Sequence, residues 1–196
     1  MTNSTRKLIL VTGTPGTGKT RFSILLAKRT GAQYTPFGRL VETQKLYSGS
    51  DRIRNSRIVN IAKTRAYLSK LASEAERLII IDSHISGICP EKFTRKVFVL
   101  RCDPRTLKKR LLSRDWSDKK VQENVLAEIL DVCFSEAVSE YGARRVEEIV
   151  TSGSDVEGCV RFAKRILSRR KTKRMTVDWL SQITRYASLR YLQGLG

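Results

Sequence analysis

The sequence predicts an α/β domain, a parallel sheet wrapped by helices on both faces. Two observations predict it. Short β-type runs alternate with longer stretches of helical periodicity along most of the 196 residues. The first run, Leu8–Thr12, is a continuous β-branched-rich stretch, as a central strand buried in a parallel sheet must be. A glycine-rich turn leads from it into a helix over 19–29, with Phe22, Ile24, Leu25, Leu26 and Ala27 as apolar residues. A second helix spans 57–75 and carries Ile58, Ile61, Ala62, Ala66, Leu68 and Leu71. The run 78–82 is the clearest strand and ends on the carboxylate of Asp82; 96–101 is the third. Asp103 is a natural N-cap, with Pro104 in the first turn of a helix that ends near Ser113. A polar stretch over 114–118 interrupts before a long helix that runs to Tyr141 and stops at Gly142. A strand over 145–151 and a helix over 155–170 complete the alternation. The segment 34–60 departs from it, being polar and weakly periodic, and no internal repeat is present.

Lys and Arg total 38 against 19 Asp and Glu, a net charge of +19. That excess points to a polyanionic partner, RNA or a ribonucleoprotein ahead of an anionic membrane surface. The plain alternative, that the charge only keeps the chain in solution, stays open. From Ser168 to Gly196 seven basic residues stand against one acidic residue, which reads either as a disordered arm or as a segment that docks on RNA. No apolar run reaches the length of a membrane span and none forms a leader, so the expectation is a cytoplasmic protein with no membrane partner. Cys89, Cys102, Cys133 and Cys159 form no C-x-x-C pair and His84 is the single histidine. This argues against a zinc site and for small buried thiols in a reducing compartment.

The segment 13–20 (GTPGTGKT) matches G-x-x-x-x-G-K-[ST] without a mismatch, between a strand and a helix start. Backbone N–H groups of Gly13, Gly16, Thr17 and Gly18 can converge there on phosphate oxygens, at the positive end of the helix dipole. Lys19 would reach the β- and γ-phosphates, the Thr20 hydroxyl would be a Mg²⁺ ligand, and Arg21 follows as a further nucleotide contact. Asp82 closes an apolar strand, where a carboxylate is costly unless something uses it. The position suits an acid that holds the Mg²⁺ shell, with an N-cap as the alternative. His84 either orients a water or a phosphate, or satisfies a local hydrogen bond. Arg110 and Arg114, on one face of a predicted helix, either close over transferring phosphoryl groups or form a salt-bridged surface. The chain lacks an N-K-x-D guanine-reading motif, and Asp82 is not followed by D-x-x-G spacing, which counts against a GTP switch. The polar insertions suit a small kinase with one flap over the acceptor and another over the donor.

These residues resemble the isoenzyme-six adenylate kinase family, atypical nucleoside monophosphate kinases that also serve small-ribosomal-subunit maturation. The segment 13–20 is similar to that family's phosphate loop, and Asp82, Ser83 and His84 to its Asp-x-His element. The stretch 114–128, with Glu136, Ala137 and Tyr141 after it, resembles the family's short lid and following helix. Asp178 and Trp179 resemble the closing pair of many short members, and the whole has the look of an archaeal-type member. The likeness covers about residues 7–180.

The resemblance implies a P-loop NTPase fold, nucleoside monophosphate kinase-like, with a parallel five-stranded sheet flanked by helices and a short lid. It implies a monophosphate-binding region near 30–60 and a lid near 113–123 within a core over 1–170, and leaves the end of the basic C-terminal extension over 171–196 unmatched. It also implies ATP and Mg²⁺ as cofactors, AMP-like acceptors, a slow ATPase in which His84 takes part, and a small-subunit ribosomal protein, with rRNA, as partner. Arg39 is the candidate contact for the acceptor phosphate. The chain departs from the family at Arg52, Arg54 and Arg57, where acidic residues are frequent. Asn60 replaces a common Asp, Asp115 a frequent glycine and Ser83 a frequent tyrosine. These changes bear on acceptor choice and turnover more than on ATP binding. The expected function is an Mg²⁺-dependent adenylate kinase, ATP and AMP to two ADP, with intrinsic ATPase activity in small-subunit maturation. The alternatives are an assembly ATPase whose kinase activity is incidental, or a basic RNA-binding scaffold with a vestigial P-loop.

Overall fold

The computed structural model describes residues 6–51, 56–114, 116–168 and 176–182. In chain order the first elements are β1 (Leu8–Thr12), α1 (Lys19–Thr30), β2 (Gln33–Pro36), α2 (Phe37–Thr43), β3 (Tyr47–Asp51), β4 (Ser56–Val59) and α3 (Ile61–Glu74). There follow β5 (Ile79–Asp82), β6 (Thr94–Arg101), α4 (Pro104–Leu112), α5 (Asp118–Ile129), α6 (Val132–Tyr141), β7 (Val146–Val150) and α7 (Val156–Leu167). Five strands form one parallel sheet in the order β2-β5-β1-β6-β7, and β3 and β4 make a separate antiparallel hairpin.

Every residue of β1 is buried, which is why that run carries no polar alternation. Its alternate side chains enter different cores. Leu8 and Leu10 pack with residues of α2, α3 and α6, whereas Ile9 and Val11 pack with residues of α1 and α7. A third cluster of Cys102, Leu107, Leu111, Val121 and Val125 joins α4 to α5. Among the described residues no helix is long and apolar enough to cross a membrane. Cys89, Cys102 and Cys159 are buried free thiols, and Cys133 is partly buried.

Three elements differ from the expected pattern. The segment 34–60 contains β2, α2 and the β3–β4 hairpin, so the helix expected from 57 begins only at Ile61, capped by the Asn60 side chain on Lys63 N–H. The single helix expected up to Tyr141 is two. Asp131 takes a left-handed conformation at φ 56°, and its carboxylate turns to the Arg101 guanidinium. The helix after Asp155 is described as far as Leu167, and Arg169 and Arg170 lie outside the described residues. The N-cap at Asp103 is as expected, accepting from Thr106 N–H at 2.9 Å with Pro104 in the first turn.

Tyr141 ties α6 to the loop after β5. Its buried hydroxyl donates to the Ser86 carbonyl at 2.7 Å and accepts from Cys89 N–H at 3.1 Å. Tyr141→Phe strands both backbone groups and is expected to cost about 1–3 kcal/mol, measured by urea unfolding.

Candidate functional site

The turn between β1 and α1 is shaped by close approach. Gly13 has φ +135°, and a Cβ there would lie 2.4 Å from the Leu100 carbonyl oxygen, so only glycine lets the chain leave the sheet beside β6. At Gly16, with φ +93°, a Cβ would press on Leu107 and Leu111 at 2.9 Å, which places α4 directly under the loop. Gly18 precedes α1, so the free N–H groups of the first helical turn open toward the loop. Lys19 Nζ folds back and donates to the carbonyls of Gly13 at 2.7 Å and Thr14 at 3.1 Å. Burial lowers the Lys19 pKa to about 8, against the opposing pull of Cys133 and Asp82.

That value sets a pH dependence. A polyphosphate on Lys19 favours the ammonium, so binding raises its pKa. Below about pH 8 the charge is already present; above it a proton must be taken up as the ligand binds. ADP affinity is therefore expected to fall as pH rises through 8, with net proton uptake seen by calorimetry in buffers of different ionisation enthalpy.

Strand register carries Asp82 to the loop. It stands beside Val11 on one side and Pro36 on the other, at the C-terminal edge of the sheet. Thr20 Oγ1 donates to Asp82 Oδ2 at 2.7 Å and Tyr34 Oη to Asp82 Oδ1 at 3.0 Å. Burial and then the Asp82 charge push the Tyr34 pKa up to about 12, so its proton stays on the phenol. A hydroxyl and a carboxylate side by side are hard oxygen donors that fit Mg²⁺. Among the described residues no group of three or more His, Cys, Asp or Glu could hold a metal alone. His84 lies at the surface, where desolvation and the Lys19 charge hold its pKa below the ordinary imidazole value. It is neutral near pH 7.

The arginines separate. Arg110 donates to the Gly16 carbonyl at 3.3 Å and the Thr151 carbonyl at 3.4 Å, bracing the loop from below. α4 stops at Leu112, so Arg114 sits in the turn beyond it, exposed and close enough for its charge to lower the Lys19 pKa. Arg21 is exposed on the first turn of α1 and Arg39 on α2. Arg57 is engaged by Glu42 at 3.0 Å and lies over the Tyr47 ring. Arg52, Arg54 and Asp115 lie outside the described residues.

Two residues at the site escape sequence reasoning. Tyr34 belongs to a short polar edge strand that gives no periodic signal. Glu128 accepts from Thr14 Oγ1 at 2.6 Å, and a signal for it exists: Val121, Val125 and Glu128 share one helix face, which sets a carboxylate on a buried stripe. An open groove of about 560 Å³ lies between α3 and α6, lined by Ile61 and Arg65 of α3, the 85–87 turn, and Glu136 and Glu140 of α6.

A family model described as an AAA domain matches residues 9–131, from β1 through α5. A protein of Methanocaldococcus jannaschii named "Putative adenylate kinase" is 35% identical over 92% of this chain and 97% of its own. A protein of Methanosarcina acetivorans with the same name is 37% identical over 76% of this chain and 80% of its own. Among solved structures, shikimate kinase from Acinetobacter baumannii superposes with a TM-score of 0.59 at 14% identity, covering 87% of this chain and 97% of that one. The last likeness shows the fold alone. Sequence, sheet order and phosphate loop agree, and the chain belongs to this archaeal adenylate kinase family, and with it to the P-loop enzymes of nucleoside monophosphate kinase type.

Proposed function

We propose that the protein transfers the γ-phosphoryl group of ATP to AMP, in an Mg²⁺-dependent reaction that yields two ADP. The observation that carries this reading is the meeting of Lys19, Thr20 and Asp82 at the strand end where β2 delivers the chain into α2. Donor and acceptor sides adjoin there. The loop N–H groups and Lys19 hold the triphosphate, and Thr20 and Asp82 hold the metal. When bound, Mg²⁺ neutralises charge on the β- and γ-phosphate oxygens. Arg114, near Lys19, compensates charge that develops as the acceptor oxygen attacks in line and the bond to the leaving ADP breaks. Arg110 contributes by fixing the Gly16 carbonyl. Arg39, on the exposed side of α2, takes the acceptor phosphate. Thr35 supports an acceptor on this side, since its buried hydroxyl has no hydrogen-bond partner one residue before Pro36. The groove between α3 and α6 has the size of a small-ligand site and lies on the same sheet face as α2. The segments 30–60 and 113–123 close over acceptor and donor respectively. His84, neutral at pH 7, orients a water when no acceptor is present, which gives the slow ATPase.

The test is ADP and inorganic phosphate release measured side by side. ADP formation that rises in proportion to added AMP, above a slow background of phosphate release that AMP suppresses, supports the kinase. Phosphate release that ignores AMP overturns it.

A second reading, an assembly ATPase of the small ribosomal subunit with a ribosomal protein and rRNA as partners, is favoured by α7. Arg161, Lys164 and Arg165 are exposed along one stripe of that helix, with no ion pair or hydrogen bond from their side chains among the described residues. Its buried residues Cys159, Val160 and Ala163 pack in the core with α1, so no apolar face is left for a bilayer. RNA affinity is expected to fall steeply with salt. Arg161→Gln, Lys164→Gln and Arg165→Gln together should flatten the log–log slope by about 2–3. The same charge loss at Lys70, Arg77 and Lys92 should leave it unchanged, and equal slopes for the two triple variants remove α7 from RNA binding.

A further inference from the structure

Glu128 is only 1% exposed, and a buried carboxylate is costly unless its oxygens are satisfied. Four donors satisfy this one. Oε2 accepts from Thr14 Oγ1 at 2.6 Å. Oε1 accepts from Arg101 Nε at 2.8 Å, Cys102 N–H at 3.0 Å and Trp179 Nε1 at 3.1 Å. The donors come from three places: the phosphate loop, β6 with the residue after it, and the segment 176–182 at the C-terminal side of the described chain.

That segment has a second anchor of the same kind. Val177 N–H donates to Glu148 Oε2 at 3.3 Å, and Glu148 is ion-paired with Arg101. Trp179 is 7% exposed, and Asp178 caps the turn that carries it by accepting from Ser181 N–H at 2.8 Å. Thr14 is equally constrained at the other end. Its carbonyl accepts from Thr17 Oγ1 at 2.9 Å and from Lys19 Nζ, so the residue that Glu128 grips from behind is the one that Lys19 grips from the front.

We propose that Glu128 is a positioning residue for the phosphate loop, and that docking of Trp179 on the same carboxylate links the segment 176–182 to nucleotide binding. Three donors pin Oε1 and so fix the plane of the carboxylate, which aims Oε2 at Thr14 Oγ1. Losing the Trp179 donor frees the carboxylate to rotate about its last bond, and the Thr14 hydroxyl is held less firmly. Linkage then runs both ways: docking of the segment tightens nucleotide binding, and a filled loop holds the segment more firmly. A partner that lifts the segment 176–182 would lower nucleotide affinity without touching the site. The proposal rests on the loop's holding a nucleotide, and not on which acceptor is used.

The experiment is a double-mutant cycle on ADP affinity by calorimetry with Thr14→Val and Trp179→Phe. Thr14→Val keeps the shape and Trp179→Phe keeps an aromatic ring, and each removes one donor to Glu128. Each single variant is expected to weaken ADP about 3- to 10-fold, with the double no weaker than the weaker single. For Trp179→Phe the KM for ATP should rise while kcat holds, a split that lost packing would not produce. Effects that multiply in the double variant, or a Trp179→Phe protein of wild-type affinity, overturn the proposal. The reciprocal measurement needs no weakened protein. The exchange rate of the Trp179 indole proton, assigned by NMR with Trp116→Phe, should slow several-fold when ADP is added to the wild-type chain, and an unchanged rate overturns the linkage. A wild-type chain that takes up no ADP at all overturns the nucleotide reading as well, so the two failures are told apart.

Discussion

Replacing Lys19 by alanine is expected to lower kcat/KM for ATP by about 10²–10³-fold, the loss typical of removing one donor aimed at developing charge. The side chain already sits over the loop on the Gly13 and Thr14 carbonyls, and its ammonium has no other task there. Lys19→Arg should not rescue, because a planar fork cannot occupy the space of a point charge between two carbonyls. Stability should move the other way. Burial lowers the Lys19 pKa from 10.5 to about 8, so the folded state disfavours the charged amine below that pH. This cost is complete below about pH 8 and fades as pH rises toward 10.5, where the unfolded chain also loses the proton. The alanine variant is therefore expected to melt no lower than wild type at pH 7. A variant that loses activity together with its thermal midpoint would mean the lysine is structural. Steady-state ADP formation and calorimetric unfolding separate the two.

The second large effect is expected at Arg101. Its guanidinium is almost fully buried and is shared by Glu128, Glu148 and Asp131. Burial opposes its charge, and the carboxylates around it more than restore the balance, raising its pKa above the ordinary value. Glu148 shows the cost from the other side, since burial raises its pKa against the pull of Arg101. Arg101→Met fills most of the volume and leaves two buried carboxylates without a counter-ion. The expected loss is about 3–5 kcal/mol by urea unfolding. Adding Glu148→Leu to Arg101→Met should recover part of it, because one stranded charge is then gone. No recovery would show that packing around the arginine, and not charge, holds the site.

The phosphate loop is legible in the sequence because its determinants are local. A β-branched run, the glycine spacing of the turn and a Lys-Thr pair at a helix start all lie within residues 8–20. Asp82 is legible for a related reason, as the one charge at the end of an apolar run. β2 is not. Gln33–Pro36 is an edge strand paired on one side only, with no fully buried residue, so nothing requires it to be apolar. The break between α5 and α6 is hidden as well. Asp131 is left-handed where its carboxylate meets Arg101 at the end of β6, and no helix propensity records that contact.

Residue order along the chain is enough to specify the parallel α/β architecture, the phosphate loop and the carboxylate of Asp82 at a strand end. Each of these follows from neighbours along the chain or from the burial of a single run. Packing settles the rest: Tyr34 fixes the Asp82 carboxylate, Arg110 braces the loop where Arg114 faces Lys19, and Thr14 and Trp179 share Glu128. Those contacts join residues far apart in the chain. Their energies depend on how a buried charge divides its few hydrogen bonds, a quantity that exists only once the pieces are packed together.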